Sequence, residues 1–146
     1  MSNKPKTINF EIVTPERVVL KEVVKQVTLP TEDGELTILP SHMPLVSILK
    51  PGVVEIVAED GSREVAAVAG GFVEVLRNKV VLLADTAERA CEINLKAVDE
   101  ARDRAEESLK NIRREDKEQY ANLAAVIARE MARSKAVTRW KKIKNL

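Results

Sequence analysis

His42 is the single histidine of the chain, and it stands between Pro40 and Pro44 in the stretch "GELTILPSHMPLVSILKPG" at 34–52. Imidazole is the side chain best suited to proton transfer or metal binding near neutral pH. A zinc site, however, needs about four His, Cys or carboxylate ligands at structured spacing. One histidine and one cysteine, Cys91, distant in sequence, do not supply it. A Ser-His-acid triad could use only His42, and no G-x-S-x-G accompanies it. Neither G-x-x-x-x-G-K-[ST] nor G-x-G-x-x-G is present. Adjacent carboxylates (Glu32/Asp33, Glu59/Asp60, Glu106/Glu107) read as solvated turns and faces in a chain that is 32% charged. Cys91 has no histidine near it and reads as a small buried or linker residue rather than a nucleophile. The chain reads as non-catalytic. Two readings stay open for His42: an ordinary exposed loop residue, or part of a docking surface. Flanking prolines restrict the loop, so it loses little entropy on binding.

The elements that position this loop have two different periods. Nine short β-branched runs fill Ile8–Ala84: INFEIV, RVVL, VVKQVTLP, ELTIL, LVSIL, VVEIVA, EVAAVA, FVEVL and KVVLLA. Turn residues separate them at Thr14-Pro15, Asp33-Gly34, Pro51-Gly52, Asp60-Gly61, Gly70-Gly71 and Asn78. This pattern predicts an antiparallel β-sandwich or flattened barrel over 1–86, because no segment is long enough for a parallel helical crossover. Residues 87–146 contain no Gly and no Pro and are rich in Ala, Glu, Lys and Arg. They predict a C-terminal antiparallel two-helix hairpin. Asn94 is expected to cap its first helix, with an apolar stripe of Leu95, Val98, Ala101, Ala105, Leu109 and Ile112. Glu100–Arg104 and Glu106–Lys110 would support its wet face. A turn at 111–116 leads to a second helix with Tyr120, Leu123, Ala124, Ile127 and Met131 along one side. The alanine-rich seam buries little apolar area, so the hairpin is either a static cover or an arm able to change partners.

The net charge is +1 in 146 residues, which points to neither nucleic acid nor an anionic membrane. It is unevenly shared: residues 1–86 hold nine Lys/Arg against twelve Asp/Glu, and 87–146 hold fifteen against eleven. Within 129–144, Arg129, Arg133, Lys135, Arg139, Lys141, Lys142 and Lys144 meet only Glu130, with Trp140 as the one aromatic. That arm reads either as a solvated helix end favoured by the dipole or as a contact for an acidic partner. A nucleic-acid-binding role would predict a steep loss of affinity with salt. No apolar run approaches the ~18 residues of a spanning helix. The start, MSNKPKTINF, lacks the apolar stretch of a signal peptide. A soluble chain without direct membrane insertion is expected.

Taken in order, four segments resemble the epsilon subunit of the bacterial F-type (proton- or sodium-driven) ATP synthase. They are VTPERVV (13–19), the 34–52 stretch, AGGFVEV (69–75) and VLLADTAERA (81–90). The family pattern at the second runs roughly G-E-[LI]-G-[IV]-[LY]-P-[GN]-H-x-P-L-[LV]. This chain departs from it with Thr37 for glycine and Ser41 for glycine or asparagine. The resemblance covers about 8–140 and implies a ten-stranded β-sandwich followed by two helices. It also implies a non-catalytic rotor subunit of the central stalk, at the cytoplasmic face of the cell membrane, coupling the gamma subunit to the ring of c subunits.

By the same resemblance, Glu35 and His42 become c-ring docking residues. The extended hairpin would slow ATP hydrolysis by reaching the catalytic alpha/beta head through a basic face at Arg129 and Arg133. Some relatives bind ATP at a motif resembling [DE]-[IL]-D-x-x-R-A. Here the matching stretch is EINLKAV, in which Glu92 and Ile93 fit, Asn94 replaces aspartate and Ala97 replaces arginine. Losing that cation predicts weak or absent ATP binding, and no cofactor, metal or nucleic acid is expected. A nucleotide-sensing module whose hairpin binds ATP is the alternative reading.

Overall fold

The computed structural model describes residues 6–146. Met1–Pro5, part of the start read above for a leader, lie outside the described residues. Seven strands come first: β1 (Ile8–Val13), β2 (Val18–Thr31), β3 (Gly34–Ile38), β4 (Leu45–Ile48), β5 (Gly52–Ala58), β6 (Arg63–Val75) and β7 (Lys79–Arg89). A 3-10 turn at Ala90–Glu92 leads into α1 (Leu95–Lys110) and α2 (Lys117–Lys144). The β-sandwich followed by a helical hairpin is therefore present.

The nine runs become seven strands because two pairs fuse. RVVL and VVKQVTLP are joined only by polar residues, with no breaker between them, and form the 14-residue β2. EVAAVA and FVEV form the 13-residue β6, which runs through Gly70-Gly71 instead of turning there. Both glycines take positive φ (73° and 102°), so the strand bends without ending. The ten strands implied by the resemblance are likewise seven here.

Pairing follows the order β1-β7-β6-β5-β2-β3, with β4 on β6 and an additional β1–β2 ladder. The β1–β2 ladder closes a ring through β1, β7, β6, β5 and β2, which leaves those strands no open edge. The β1–β7 ladder is parallel, with Phe10 opposite Val80 and Ile12 opposite Leu82. The expected all-antiparallel sandwich is corrected there. No helix makes this crossover; the whole of β2–β6 does, a link that local patterning does not reveal.

Alternate residues of the ring fill its interior. Phe10, Ile12, Val24, Val27, Leu29, Val54, Ile56, Val73 and Leu82 are buried in one cluster. A second cluster lies on the outer face of β5 and β6. There Val65 and Ala67 of β6, with Val53 beside them, meet Ala90, Ile93, Val98, Ala136 and Val137, flanked by Leu95, Trp140 and Ile143. The distal half of α2 thus lies on the sandwich as a third layer. β7 keeps pairing through Arg89, opposite Ala66, so the sheet passes the boundary drawn at 86.

Asn94 caps α1, its side-chain oxygen accepting from the Ala97 amide at 3.2 Å. Asp116 caps α2 in the same way on Gln119, at 3.1 Å. Ion pairs on α1 join Arg102 to Asp99 and Asp103 rather than Glu100 to Arg104. The second-helix stripe expected at Tyr120–Met131 is not the buried face. Tyr120 is 50% and Met131 56% exposed, while Glu130, Ala132, Ala136 and Val137 are buried. Small side chains let the helix lie close to the sheet, and their low hydropathy hides that face from a search for large apolar residues.

Candidate functional site

The proline-flanked loop joins β3 to β4. The His42 amide donates to the Leu39 carbonyl at 3.1 Å, closing a tight turn. Ser41 at its centre has φ 68°, the left-handed region where glycine and asparagine sit at least cost. The glycine-or-asparagine preference noted at that position has its reason here. The His42 ring lies 2.8 Å from the Met43 carbonyl through Nδ1. A carbonyl only accepts, so Nδ1 carries the proton and Nε2 remains for a partner. Thr37, the other departure, bonds the Thr28 hydroxyl across the β2–β3 ladder at 2.9 Å, a cross-strand pair glycine could not make.

Glu35 stands at the opposite end of β3, across from Pro30. It lines a cleft of about 450 Å³ with Lys50, Lys135 and Arg139. Three residue steps along the strand take it to Ile38, about 10 Å. Glu35 and His42 therefore flank β3 and do not converge on one point. Near His42 the surface is apolar: Met43 is 78% and Val46 71% exposed, and Leu39 is exposed beside them.

Ladder registers extend that surface across the sandwich. Ile48 faces Phe72, Phe72 faces Leu83, Leu83 faces Val13 and Val13 faces Val18. Directly paired residues share a face, so five strands contribute one apolar row. Ile48, Phe72, Leu83 and Val18 of that row are all exposed. The next row is mixed, with Val46 opposite Glu74, Glu74 opposite Val81 and Glu11 opposite Val81 and Lys21. An apolar strip with a polar border on a rigid sheet is the anatomy of a protein–protein interface. The sequence signal for it was present in FVEV and VLLA, whose apolar residues occupy both strand faces.

The charged seam lies where α2 meets β7. Glu130 is 1% exposed. It accepts from Arg133 Nη1 at 2.8 Å and from Arg129 Nη2 at 3.3 Å. Arg133 also reaches Glu88 of β7, with Nε 2.6 Å from Oε2 and Nη2 3.2 Å from Oε1. Burial alone would lower the pKa of Arg133, but the hydrogen bonds and charges of Glu88 and Glu130 outweigh it and raise it. The guanidinium stays charged. Arg129 Nε and Arg133 Nε are buried without a hydrogen-bond partner among the described residues, so the Nε approach to Glu88 is a charge contact and the Nη2 contact is the hydrogen bond. A second tie runs from Arg139 to Glu55 of β5 at 3.0 Å, and Glu55 also meets Arg63.

Arg129 and Arg133, the basic face given above to the extended hairpin, turn toward the sandwich in this conformation. Glu130 had been noted only as the lone acid of the arm, and Glu88 had carried no role.

The stretch 92–97 is used structurally. Glu92 lies 3.7 Å from Arg17, Ile93 belongs to the second core, and Asn94 is engaged as the α1 cap. Among the described residues, no three His, Cys, Asp or Glu side chains are grouped to hold a metal, and no helix is long and apolar enough to cross a membrane.

Comparison with known proteins agrees with this architecture. The family model described as the β-sandwich domain of the ATP synthase delta/epsilon chain matches residues 7–90. An ATP synthase epsilon chain of Chloroflexus aggregans is 50% identical over 95 residues, which is 65% of this chain and 68% of the relative. One from Bordetella petrii is 40% identical over 139 residues, covering 95% and 97% respectively. A chain in the structure of the Euglena gracilis mitochondrial ATP synthase (OSCP/F1/c-ring) superposes with TM-score 0.77 at 22% identity, over 90% of this chain and 81% of that one. That last likeness is one of fold. The sandwich match and the near full-length identity together place the chain in the ATP synthase epsilon-chain family.

Proposed function

We propose that the chain is a coupling piece of the rotor's central stalk and, through its helical arm, a brake on ATP hydrolysis. The apolar row Ile48–Phe72–Leu83–Val13–Val18 docks on the gamma subunit. The β3 region carrying Glu35 and His42 meets the c-ring, and the complex lies at the cytoplasmic face of the membrane. The single observation that carries this reading is the row itself, five strands wide on a closed ring of strands. A rigid sheet presenting that strip needs a partner to cover it, and a stiff body between two partners transmits torque. Lifted from the sandwich, α2 would offer Arg129 and Arg133 to an acidic surface of the catalytic head. Desolvated charge pairs at such an interface count for far more than exposed ones.

The test adds the full chain, a version ending after Ala90, or the Phe72→Asp variant to an epsilon-free head containing gamma. Both the full and shortened chains should bind, and only the full chain should slow hydrolysis. Phe72→Asp, at an exposed position that leaves the core intact, should weaken binding at least about tenfold, or ~1.4 kcal/mol. Undiminished binding by Phe72→Asp would remove the docking assignment, and inhibition by the shortened chain would remove the brake. The nucleotide-sensing alternative has less support, because Asn94 is spent as a helix cap and Ala97 offers no cation.

A further inference from the structure

Glu130 is the only buried ionisable side chain among the described residues, and its surroundings give it a use. A carboxylate taken out of water costs several kcal/mol unless it is paired and hydrogen-bonded. Here Arg129 and Arg133 of its own helix supply the pairing. Arg133 then spends the rest of its planar fork on Glu88, across the boundary between arm and sandwich. The same guanidinium therefore neutralises the buried acid and holds the arm to β7. Beside this cluster, Ala136 and Val137 of α2 pack against Val65 and Ala67 of β6, flanked by Trp140 and Ile143.

We propose that Glu88, Arg133, Glu130 and Arg129 form a latch that decides, without any ligand, whether the helical arm lies on the sandwich. Docked, Arg133 joins Glu130 to Glu88 and Glu130 is dry. Lifted, Glu130 regains water and Arg133 parts from Glu88. The latch is selective for arginine, because a lysine ammonium cannot bond Glu130 and Glu88 through two separate nitrogens of one planar group. Arg133 cannot serve Glu88 and an outside acidic surface at once, so docking and braking exclude each other. The latch rests on the docked geometry alone; only its consequence for braking rests on the function proposed above.

The experiment uses the full chain in a Cys91→Ser background, with spin labels on Glu59→Cys and Lys142→Cys, both exposed positions. Distances are read by electron–electron dipolar spectroscopy. The otherwise unaltered chain should give one short distance. Glu88→Lys should raise the ratio of lifted to docked arm at least about tenfold, equivalent to ~1.4 kcal/mol, and Arg133→Lys should move it the same way. The β-sheet circular dichroism should stay unchanged in both, since neither position belongs to the sandwich core. An unaltered distance distribution in Glu88→Lys overturns the latch. Hydrolysis by the epsilon-free head separates the two ideas: Glu88→Lys should inhibit more strongly than the parent, whereas Arg133→Ala should lift the arm without that gain. Lifted arms with no added inhibition from Glu88→Lys would keep the latch and remove the brake.

Discussion

Gly71→Ala is expected to be among the most damaging single substitutions in the sandwich, far worse than the same change one residue earlier. Gly71 has φ 102° and lies opposite Ala84 in the β6–β7 ladder. A Cβ there would sit 2.0 Å from the Leu83 carbonyl oxygen and 2.8 Å from the Ala84 Cα. Both are backbone atoms, so relief requires β7 to move away from β6 by more than an ångström. That movement strains the adjoining ladder from Phe72–Leu83 to Val75–Val80, and with it the placement of Phe72 and Leu83 in the docking row. Gly70 is different in kind. Its φ is 73°, and the nearest obstacle to a Cβ is the carboxylate of Asp85 at 2.2 Å. Asp85 is an exposed side chain that can rotate into water.

Placing an L-residue in the left-handed region costs about 1–2 kcal/mol, and Gly70→Ala should cost little beyond that. Gly71→Ala adds the displacement of a paired strand, and at least about 3 kcal/mol is expected, in the range of broken core elements. For a domain of this size each kcal/mol lowers the midpoint by roughly 4–8 °C, so a fall of more than about 12 °C is expected. Thermal unfolding of the sheet signal in the full chain measures both variants. A Gly71→Ala loss below about 1 kcal/mol, or a larger loss for Gly70→Ala, would refute the argument that backbone crowding governs this bend.

Glu22→Gln should stabilise the protein at neutral pH. Burial, with the charge of Glu64 and a hydrogen bond to it, raises the Glu22 pKa against the opposing pull of Arg89, and Asp60 adds a further push upward. The folded state therefore binds this proton more tightly than the unfolded chain, and stability declines as pH rises from the ordinary glutamate value, about 4.3. The parent and Glu22→Gln should converge in acid and separate toward neutrality in denaturant titrations at several pH values; parallel curves throughout would contradict this. For nucleotide, calorimetric titration with millimolar ATP should show no saturable binding, because the cap, core and cation positions of 92–97 are otherwise used or empty. Clear saturation would reverse that conclusion.

Much of the architecture was legible because it rests on short-range rules. Alternation placed Ile8, Phe10 and Ile12 inside, and the polar amide before an apolar-periodic run identified Asn94 as a cap. What escaped is of three physical kinds. The parallel β1–β7 ladder joins segments at opposite ends of the domain, where no local pattern speaks. Gly70-Gly71 carries the composition of a turn, yet positive φ at both residues lets β6 continue through a bend. The docking face of α2 is marked by Ala132, Ala136 and a buried Glu130 rather than by its large apolar residues, so a hydropathy stripe pointed to Tyr120 and Met131 on the wet side. The loop at His42 was visible as a motif, but the row that continues it across the sheet exists only through the pairing register.

The two parts of the chain are held by different chemistry, and that difference permits one to move without the other. The ring from β1 through β7, β6 and β5 to β2 is tied by backbone ladders at every strand and filled by large aliphatic side chains. Such a body opens only by global unfolding. The arm meets it through a smaller apolar cluster that includes Val98, Ala136, Val137, Trp140 and Ile143, and through two ion-paired contacts, Arg133 to Glu88 and Arg139 to Glu55. Glu88 and Arg139 keep much of their surface in water, so these contacts are exchangeable: solvent or an acidic partner can replace each carboxylate at modest cost. Exchangeable charge pairs beside a small apolar cluster are the chemistry that the proposed release of the arm requires, while the closed ring beneath keeps the rigidity that the proposed coupling role requires.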